Sequence, residues 1–388
     1  MDQRKTKSLA DQRRLREEGE AAIVATLREV GPLSRLELSK RANLGRTTVF
    51  EIVRDLVSRS VLVEAPMESE HQGRGRPTTV FSLNPATALF AGVEVARRHI
   101  RVLLVNAAHA EIAYEIEPLP TPGDASALDI VLDLLPRAAR KCGSSLDQIK
   151  HIGLGVSGIV DPLVPSAAIQ RLQVGMEGAF HVPVKVANNS HLASLAEATW
   201  GAARDHDDVL YVHWSSGIGS GWVSRRNLLH GAHGMAGELG HVSIAPEHGP
   251  ECYCGGRGCL EMLAGLEALG RQAANLPSGR RFANERDLLA AARTHDATAT
   301  GIFREAALQI GQVVATAATL LDPSIVVLGG EVSALEETVI EPVRTAIERM
   351  VTPRFQRTIE VRPSRLGELG AVRGAVALVL PEVQFPTS

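Results

Sequence analysis

Three of the chain's four cysteines, Cys252, Cys254 and Cys259, crowd into one glycine-rich run, ECYCGGRGCLE, that ends at Glu261. Thiols gathered this closely in a reducing compartment point to a bound metal ion, since disulfides do not persist there. Zinc takes four nitrogen or sulfur ligands in a tetrahedron, and three cysteines with one histidine are a standard set. His241 and His248 are both close enough in sequence to supply the fourth ligand. Gly255, Gly256 and Gly258 let the backbone fold tightly around an ion. The alternative is a buried or reactive thiol cluster that holds no metal.

A chain of 388 residues implies two or three domains. Hydrophobic residues make up 45% and aromatics only 4%, so the core is expected to be aliphatic. The net charge of −3 is unevenly spread. The first 80 residues carry 15 Lys and Arg against 12 Asp and Glu, and the rest 26 against 32. A mildly basic head on an acidic body is compatible with DNA binding. The N-terminal residues lack the apolar stretch of a signal peptide, and no apolar run approaches the roughly 20 residues of a membrane helix. The expectation is a soluble, cytoplasmic protein without membrane contact.

In the head, Leu15, Ile23, Val24 and Leu27 recur at helical spacing until Gly31-Pro32 stops the helix. Ser34 and Glu37 form a capping-box pattern that opens a second helix, ending near Ala42-Asn43. A tight turn at Leu44-Gly45 leads to a third helix beginning at Arg46 or Thr47, with Val49, Ile52, Val53 and Leu56 as its apolar face. Helix, glycine turn, helix is the arrangement that puts the N-terminal residues of a second helix into the DNA major groove. Arg46, Thr47, Thr48 and Arg54 are the candidate contacts. Leu62-Val63-Glu64 and Thr79–Leu83 are expected to be two strands of a wing. The segment between them contains Gly-Arg-Gly-Arg-Pro. Its Arg74 and Arg76, in extended backbone, suit a minor groove with enhanced negative potential. An ordinary three-helix cluster with a flexible linker is the competing view. Asn84-Pro85 marks the boundary between a head of residues 1–86 and a body of residues 87–388.

The body repeats one order. Three strands from Leu89 onward, with turns at Ala96-Arg97 and Asn106-Ala107, precede a helix from Ala127 to Lys141 and an apolar strand from Ile152 to Val156. Val184–Val186 is a further strand, before a helix from His191 to Trp200. Strands at Asp208–His213, Gly221–Arg225 and Asn227–Leu229 then lead to the cysteine segment, a long helix from Phe303 to Leu321 and a buried strand from Ile325 to Leu328. This is a duplicated β-β-β-α-β unit, hence an α/β body in two lobes, residues 87–200 with a C-terminal helix and residues 201–370.

Gly-Glu-Leu-Gly-His ending at His241, with the cysteine run and Glu261, resembles the zinc-binding signature of the ROK family of sugar kinases and sugar-responsive repressors. The resemblance extends over essentially the whole chain, and Gly-Arg-Gly-Arg-Pro resembles the linker of ROK repressors as well as the AT-hook core. It implies a duplicated actin-like (RNase H-like) ATPase fold behind a winged helix-turn-helix domain. It favours His241 over His248, giving one zinc per subunit on His241, Cys252, Cys254 and Cys259. It places sugar contacts at Asn188, Asn189, Glu238, His241 and Glu261.

The family's kinases carry Asp-x-Gly-Gly-Thr at a first phosphate turn, where this chain has Glu94, Ala96, Arg97 and Arg98. Asn189 stands where the family's catalytic Asp is, and an amide cannot take a hydroxyl proton. The run Ser215–Gly221 is either a second phosphate cradle or a tight hairpin. Residues 162–181, the region of the loop that covers the sugar in relatives, look short. The reading is therefore a non-enzymatic regulator of carbohydrate genes, of repressor type and nucleoid-associated. It would bind a pseudo-palindromic double-stranded DNA operator as a homodimer or homotetramer and answer to a sugar or sugar-phosphate effector. The alternative is a sugar kinase with an added head.

Overall fold

The computed structural model describes residues 3–66, 79–120, 126–161, 163–276, 282–351 and 358–380. The Arg74–Arg76 segment lies outside them. Among the described residues, no helix is long and apolar enough to cross a membrane.

The head begins with α1 (Gln3–Val30), which Gly31 ends in left-handed backbone at φ 89°. A short strand β1 (Leu33–Ser34) leads to α2 (Arg35–Arg41). The capping box forms as the sequence predicts, with the Glu37 amide donating to Ser34 Oγ and the Ser34 amide to Glu37 Oε2. Asn43, at φ 52°, turns the chain, and the Ser39 hydroxyl donates to the Leu44 carbonyl at 2.7 Å to hold that turn. Gly45 then caps α3 (Arg46–Ser58). Strands β2 (Leu62–Pro66) and β3 (Thr79–Leu83) pair antiparallel, with β1 on the other side of β3. Ile23, Val24 and Leu27 of α1, Val49, Ile52, Val53 and Leu56 of α3, and Phe81 close one core. Leu15 does not join it. It is exposed.

The body contains two five-stranded sheets of the same design. In the first, β4 (Leu89–Val95), β5 (His99–Asn106) and β6 (Glu111–Pro118) form an antiparallel meander. After α4 (Ala127–Lys141), β7 (Ile149–Val156) lies parallel to β4. Then α5 (Ala167–Phe180) precedes β8 (Val184–Asn188), parallel to β7, and α6 (Asn189–Trp200) follows. In the second sheet, β9 (Val209–Trp214), β10 (Ile218–Ser224) and β11 (Asn227–Leu229) repeat the meander. Helices α7 (Leu260–Ala264), α8 (Leu266–Ala274), α9 (Glu285–Arg293) and α10 (Ala297–Leu321) come next. Strand β12 (Ile325–Gly329) lies parallel to β9. Helix α11 (Glu337–Met350), β13 (Glu360–Pro363) parallel to β12, and α12 (Gly370–Val379) complete the chain. The strand orders are β6-β5-β4-β7-β8 and β11-β10-β9-β12-β13.

The two sheets exchange helices. Helix α6 follows the last strand of the first sheet, yet its Ala193 and Ala198 pack on Val209, Tyr211 and Val223 of the second. Helix α12 follows the last strand of the second sheet, yet its Val372 and Val376 pack on Phe90, Leu103 and Val105 of the first. The two helices cross back to back. A Cβ on Gly374 of α12 would stand 1.8 Å from the Leu192 carbonyl oxygen of α6, and one on Gly153 of β7 would stand 1.9 Å from the Ala375 oxygen. Glycine here serves close backbone approach.

Residues 167–180 form a helix rather than a covering loop. Ser166 caps it by accepting from the Ile169 amide at 3.3 Å, and Ile169 and Met176, two turns apart, enter the first core. Strand β10 begins at Ile218, earlier than the spacing of apolar residues predicts, because the glycine run is itself the hairpin.

A paired substitution tests the helix crossing. Gly→Ala inside a helix ordinarily stabilises by about 0.5–1 kcal/mol. Gly301→Ala in α10, where nothing lies within 4 Å of the added carbon, is expected to follow that rule. Gly374→Ala is expected to reverse it and destabilise by about 1–3 kcal/mol through overpacking. Thermal unfolding of the two variants side by side should move in opposite directions.

Candidate functional site

The cysteine run closes on itself before any ion is considered. The Cys252 amide donates to the Gly256 carbonyl at 2.9 Å, Gly258 to Pro250 at 2.8 Å, and Arg257 pairs with Glu251. Gly255 and Gly258 take left-handed backbone at φ 88° and 66°. His241, at the end of a short 3-10 turn Leu239–His241, brings Nδ1 to 3.6 Å from Cys252 Sγ. Cys254 and Cys259 sulfurs are 3.7 Å apart, and the four ligand atoms all lie within 4.8 Å of one another. A tetrahedron with metal–sulfur bonds of about 2.3 Å has sulfur–sulfur edges of about 3.8 Å, so the cluster fits a divalent ion. Burial pushes the Cys259 thiol up to about 12, and its thiol neighbours add to that. A bound cation reverses this cost by favouring the thiolates. His248 stays outside the cluster, highly exposed beside Glu247, and the histidine that joins the three cysteines is His241.

The segment between β11 and the metal loop reaches across to the first half of the body. His191 Nε2 meets the Ala236 carbonyl at 2.8 Å, and His233 pairs with Asp161 at 3.5 Å. Asn188 and Asn189 stand at the carboxyl end of β8, and Glu238, His241 and Glu261 lie together beside the metal loop; the region between the two groups is the candidate effector cleft, and its residues are in unequal states. Asn188 is largely committed, since its Oδ1 accepts from the Ser190 and His191 amides and its Nδ2 donates once, to the Gly158 carbonyl. Glu261 is occupied too, accepting from the Ile218 amide at 2.9 Å and so tying α7 to the glycine hairpin. Asn189 donates to the Val95 carbonyl at 3.3 Å, while its Oδ1 is buried without a partner. Glu238 lies 3.9 Å from His241, and burial raises its carboxyl pKa, with His241 opposing and Glu261 adding. Asn189 Oδ1 is closed off against Gly155, so the spare capacity sits on Glu238.

Both turn positions are met by side chains from other elements. Glu94 is buried and bonded to Arg101 at 3.1 Å, and Arg101 also holds Glu368 at 2.7 Å. In the β4–β5 turn, Arg97 faces Glu267 at 3.6 Å, and Arg98 pairs with Glu285 at 3.0 Å. The arginines thus meet carboxylates of α8 and α9 from the second half of the body. In the second run, Ser215 and Gly217 close a hairpin between β9 and β10, with the Ser215 amide donating to the Gly217 carbonyl. A Cβ on Gly219 would stand 2.3 Å from Ser190 Oγ, so that glycine admits α6.

On the head, Arg46, Thr47 and Thr48 form the exposed first turn of α3, and Arg54 is exposed two turns later. Among the described residues neither Arg46 nor Arg54 has an ion-pair partner. Arg35 stacks on Phe81 at 4.6 Å and on the half-exposed Phe50 of α3 at 5.0 Å.

The model of the ROK family matches residues 90–382. The chain belongs to the ROK family. Among curated proteins it is similar to the xylose repressor of Bacillus subtilis, 24% identical over 379 residues, covering 96% of this chain and 97% of the repressor. The transcriptional dual regulator NagC of Escherichia coli is 25% identical over 374 residues, covering 92% and 91%. A glucokinase of Halalkalibacterium halodurans is 28% identical over 312 residues, covering 75% of this chain and 94% of its own. A solved ROK family transcriptional regulator, described as a homologue of E. coli MLC, shares the fold at a TM-score of 0.76, with 24% identity over 94% of this chain and 96% of its own. The ROK glucokinase of Streptomyces griseus, solved with glucose and AMPPNP, gives 0.65 at 28% identity over 75% and 99%.

Sequence reasoning missed Glu267, Glu285 and Arg101, because ion pairs between residues far apart in a chain leave no local pattern. It also passed over His191, which lies inside the Ala187–His191 run but whose partner, Ala236, is a backbone carbonyl. Phe50, an aromatic on the polar side of α3, is a signal that the sequence does carry.

Cobalt(II) titration tests the loop. One ion per chain with the absorption of tetrahedral thiolate ligation is expected for the parent and for His248→Ala. Cys254→Ser is expected to weaken binding by at least about tenfold, with the charge-transfer band reduced. Equal stoichiometry and spectrum in Cys254→Ser would remove the assignment.

Proposed function

We propose that this ROK protein is a DNA-binding transcriptional regulator, of repressor type, acting on carbohydrate-related genes. The observation that carries this is coverage. The xylose repressor and NagC align through head and body, whereas the glucokinase aligns with three quarters of the chain. On this reading residues 1–86 are a winged helix-turn-helix domain, and the two matching sheets are duplicated lobes of an actin-like fold. Zinc is the ion proposed for His241, Cys252, Cys254 and Cys259, since three thiolates and an imidazole suit it.

The head supports the reading by presenting Arg46, Thr47, Thr48 and Arg54 outward on a helix whose other face is sealed in its own core. Arg74 and Arg76 are proposed from the sequence alone as minor-groove contacts. A dimer on a pseudo-palindromic operator follows from the small size of one head. With an operator selected from random duplexes, Thr47→Ala or Thr48→Ala is expected to lose about 1–3 kcal/mol of discrimination at particular base pairs. Arg74→Ala with Arg76→Ala is expected to weaken binding to all sequences and flatten the salt dependence by roughly one unit of slope per lost contact. Binding isotherms at several salt concentrations check both. Parental affinity in every head variant would sink the proposal.

The cleft supports sensing rather than catalysis. A sugar hydroxyl facing Asn189 meets an amide that cannot serve as base, and the turn that would approach phosphate is filled by arginines bonded to carboxylates. Restoring a carboxylate alone does not rebuild the site. In Asn189→Asp, an anionic oxygen would confront the Val95 carbonyl that the amide now bonds. This variant is expected to be less stable by about 1–3 kcal/mol and to phosphorylate common hexoses far below about 1 s⁻¹. ATP-dependent turnover near that rate in the parent would favour the kinase reading. A sugar or sugar phosphate is proposed as effector at Asn189, Glu238 and His241. A thermal shift by such ligands that persists unchanged in Glu238→Gln would contradict this.

A further inference from the structure

Phe50 stands on the outer side of α3 and is 47% exposed. It takes no part in the core that seals the opposite side through Val49, Ile52, Val53 and Leu56. On a helix, residues three and four apart are neighbours. Phe50 follows Arg46 by four positions and Thr47 by three, and precedes Arg54 by four. All four are exposed, so they form one stripe with an aromatic ring in the middle and a cation towards each end. Neither of these arginines has an ion-pair partner among the described residues. Of the carboxylates on α3, Glu51 is exposed on the neighbouring row, and Asp55 is held by Arg16 and Arg59.

A single exposed apolar side chain is ordinary on a protein surface. Phe50 differs in being held. The guanidinium of Arg35, the first residue of α2, lies 5.0 Å from the Phe50 ring centroid and 4.6 Å from that of Phe81. Phe81 is fully buried in the core of the head. A guanidinium is planar and packs against aromatic faces. The series Phe81, Arg35, Phe50 therefore runs from the core of the head to its surface. Glu64 of β2, 3.8 Å from Arg35, adds a weaker restraint on the guanidinium. Arg35 covers part of the Phe50 ring, and the exposed remainder is presented in a fixed orientation. A ring held in advance loses little freedom when it meets a partner.

We infer that Phe50 is a specificity-determining residue that reads thymine through its C5-methyl group. The inference rests on the reading that α3 enters the major groove, and it adds the identity of a base. The edges of the bases in that groove offer hydrogen-bond donors and acceptors, and thymine alone adds a methyl group. A phenyl ring has no polar atom with which to answer the donors and acceptors, so the methyl is what it can recognise. The two arginines decide the kind of partner. Unpaired cations on both sides of one ring suit phosphates and guanine edges around an apolar spot, and disfavour an apolar protein surface.

The test uses the full-length protein and an operator selected from random duplexes. Each thymine of a half-site is replaced in turn by deoxyuridine, which removes the methyl and keeps every hydrogen-bonding group. At one or two adjacent positions the parent is expected to bind about threefold to tenfold more weakly. At those positions Phe50→Ala should bind the thymine and deoxyuridine duplexes equally, and at all other thymines it should follow the parent. Phe50→Leu, which keeps an apolar contact, should retain part of the methyl effect. Each comparison is a ratio of two affinities for one protein, so a smaller folded fraction in a variant cancels, and thermal unfolding checks the fold directly. A parent indifferent to every methyl would overturn the inference while leaving the regulator reading intact. So would a methyl effect that persists unchanged in Phe50→Ala. Failure of the parent to bind any duplex would overturn the regulator reading and this inference with it.

Discussion

Helices α6 and α12 meet through glycine and alanine, with Gly374 over the Leu192 carbonyl and Gly370 beside Ala193. A side chain at Gly374 would strike that carbonyl. Each helix also has a second duty, since α6 covers one face of the second sheet and α12 one face of the first. The crossing therefore sets the angle between the sheets, and with it the cleft. Asn189 opens α6, so its position at the mouth of β7 and β8 follows from where α6 can lie.

If the protein is the regulator proposed above, its cleft has lost chemistry while the scaffold stayed intact. Glu94, buried near the β4–β5 turn, is neutralised by Arg101. Arg97 and Arg98 fill the turn and meet Glu267 and Glu285 from the other half. These outer pairs are partly exposed, so each contributes only about 0–1 kcal/mol. Their larger effect is geometric, because they join the β4–β5 turn to α8 and α9 of the other half. The Asn189 amide completes the change by donating to the Val95 carbonyl, a bond that a carboxylate could not make.

Much of this was legible in the sequence where the signal is local. The capping box at Ser34, the apolar face of α3, the boundaries of α4 and the two strand meanders are written in spacing and turn residues. The metal loop was legible as well, because three thiols in one glycine-rich run have little use besides holding an ion, although choosing His241 over His248 needed the resemblance. What did not show was anything depending on distant pairing. The exchange of α6 and α12 leaves only isolated glycines as its trace. Helix α5 was hidden because Pro162 and Pro165 suggest a loop, although Ile169, Leu172, Met176 and Phe180, which pack on the first core, do recur at helical spacing. Glu261 and Asn188 looked like ligand contacts and are bonded to their own backbone surroundings.

The helix exchange also orders events during synthesis. The head's core draws only on residues between Ile23 and Leu83, so it can close while the body is still being made. The first sheet cannot close in the same way. Phe90, Leu103 and Val105 wait for Val372 and Val376, which emerge nearly three hundred residues later. Throughout that interval a ribosome-bound chain carries a finished head beside a sheet with one bare apolar face, the state in which nascent chains are most exposed to aggregation. A nonsense mutation just before α12 would leave that face open for the life of the protein. Such a short truncation would do more harm to solubility than its length suggests, although it removes no residue of the cleft, the metal loop or the head.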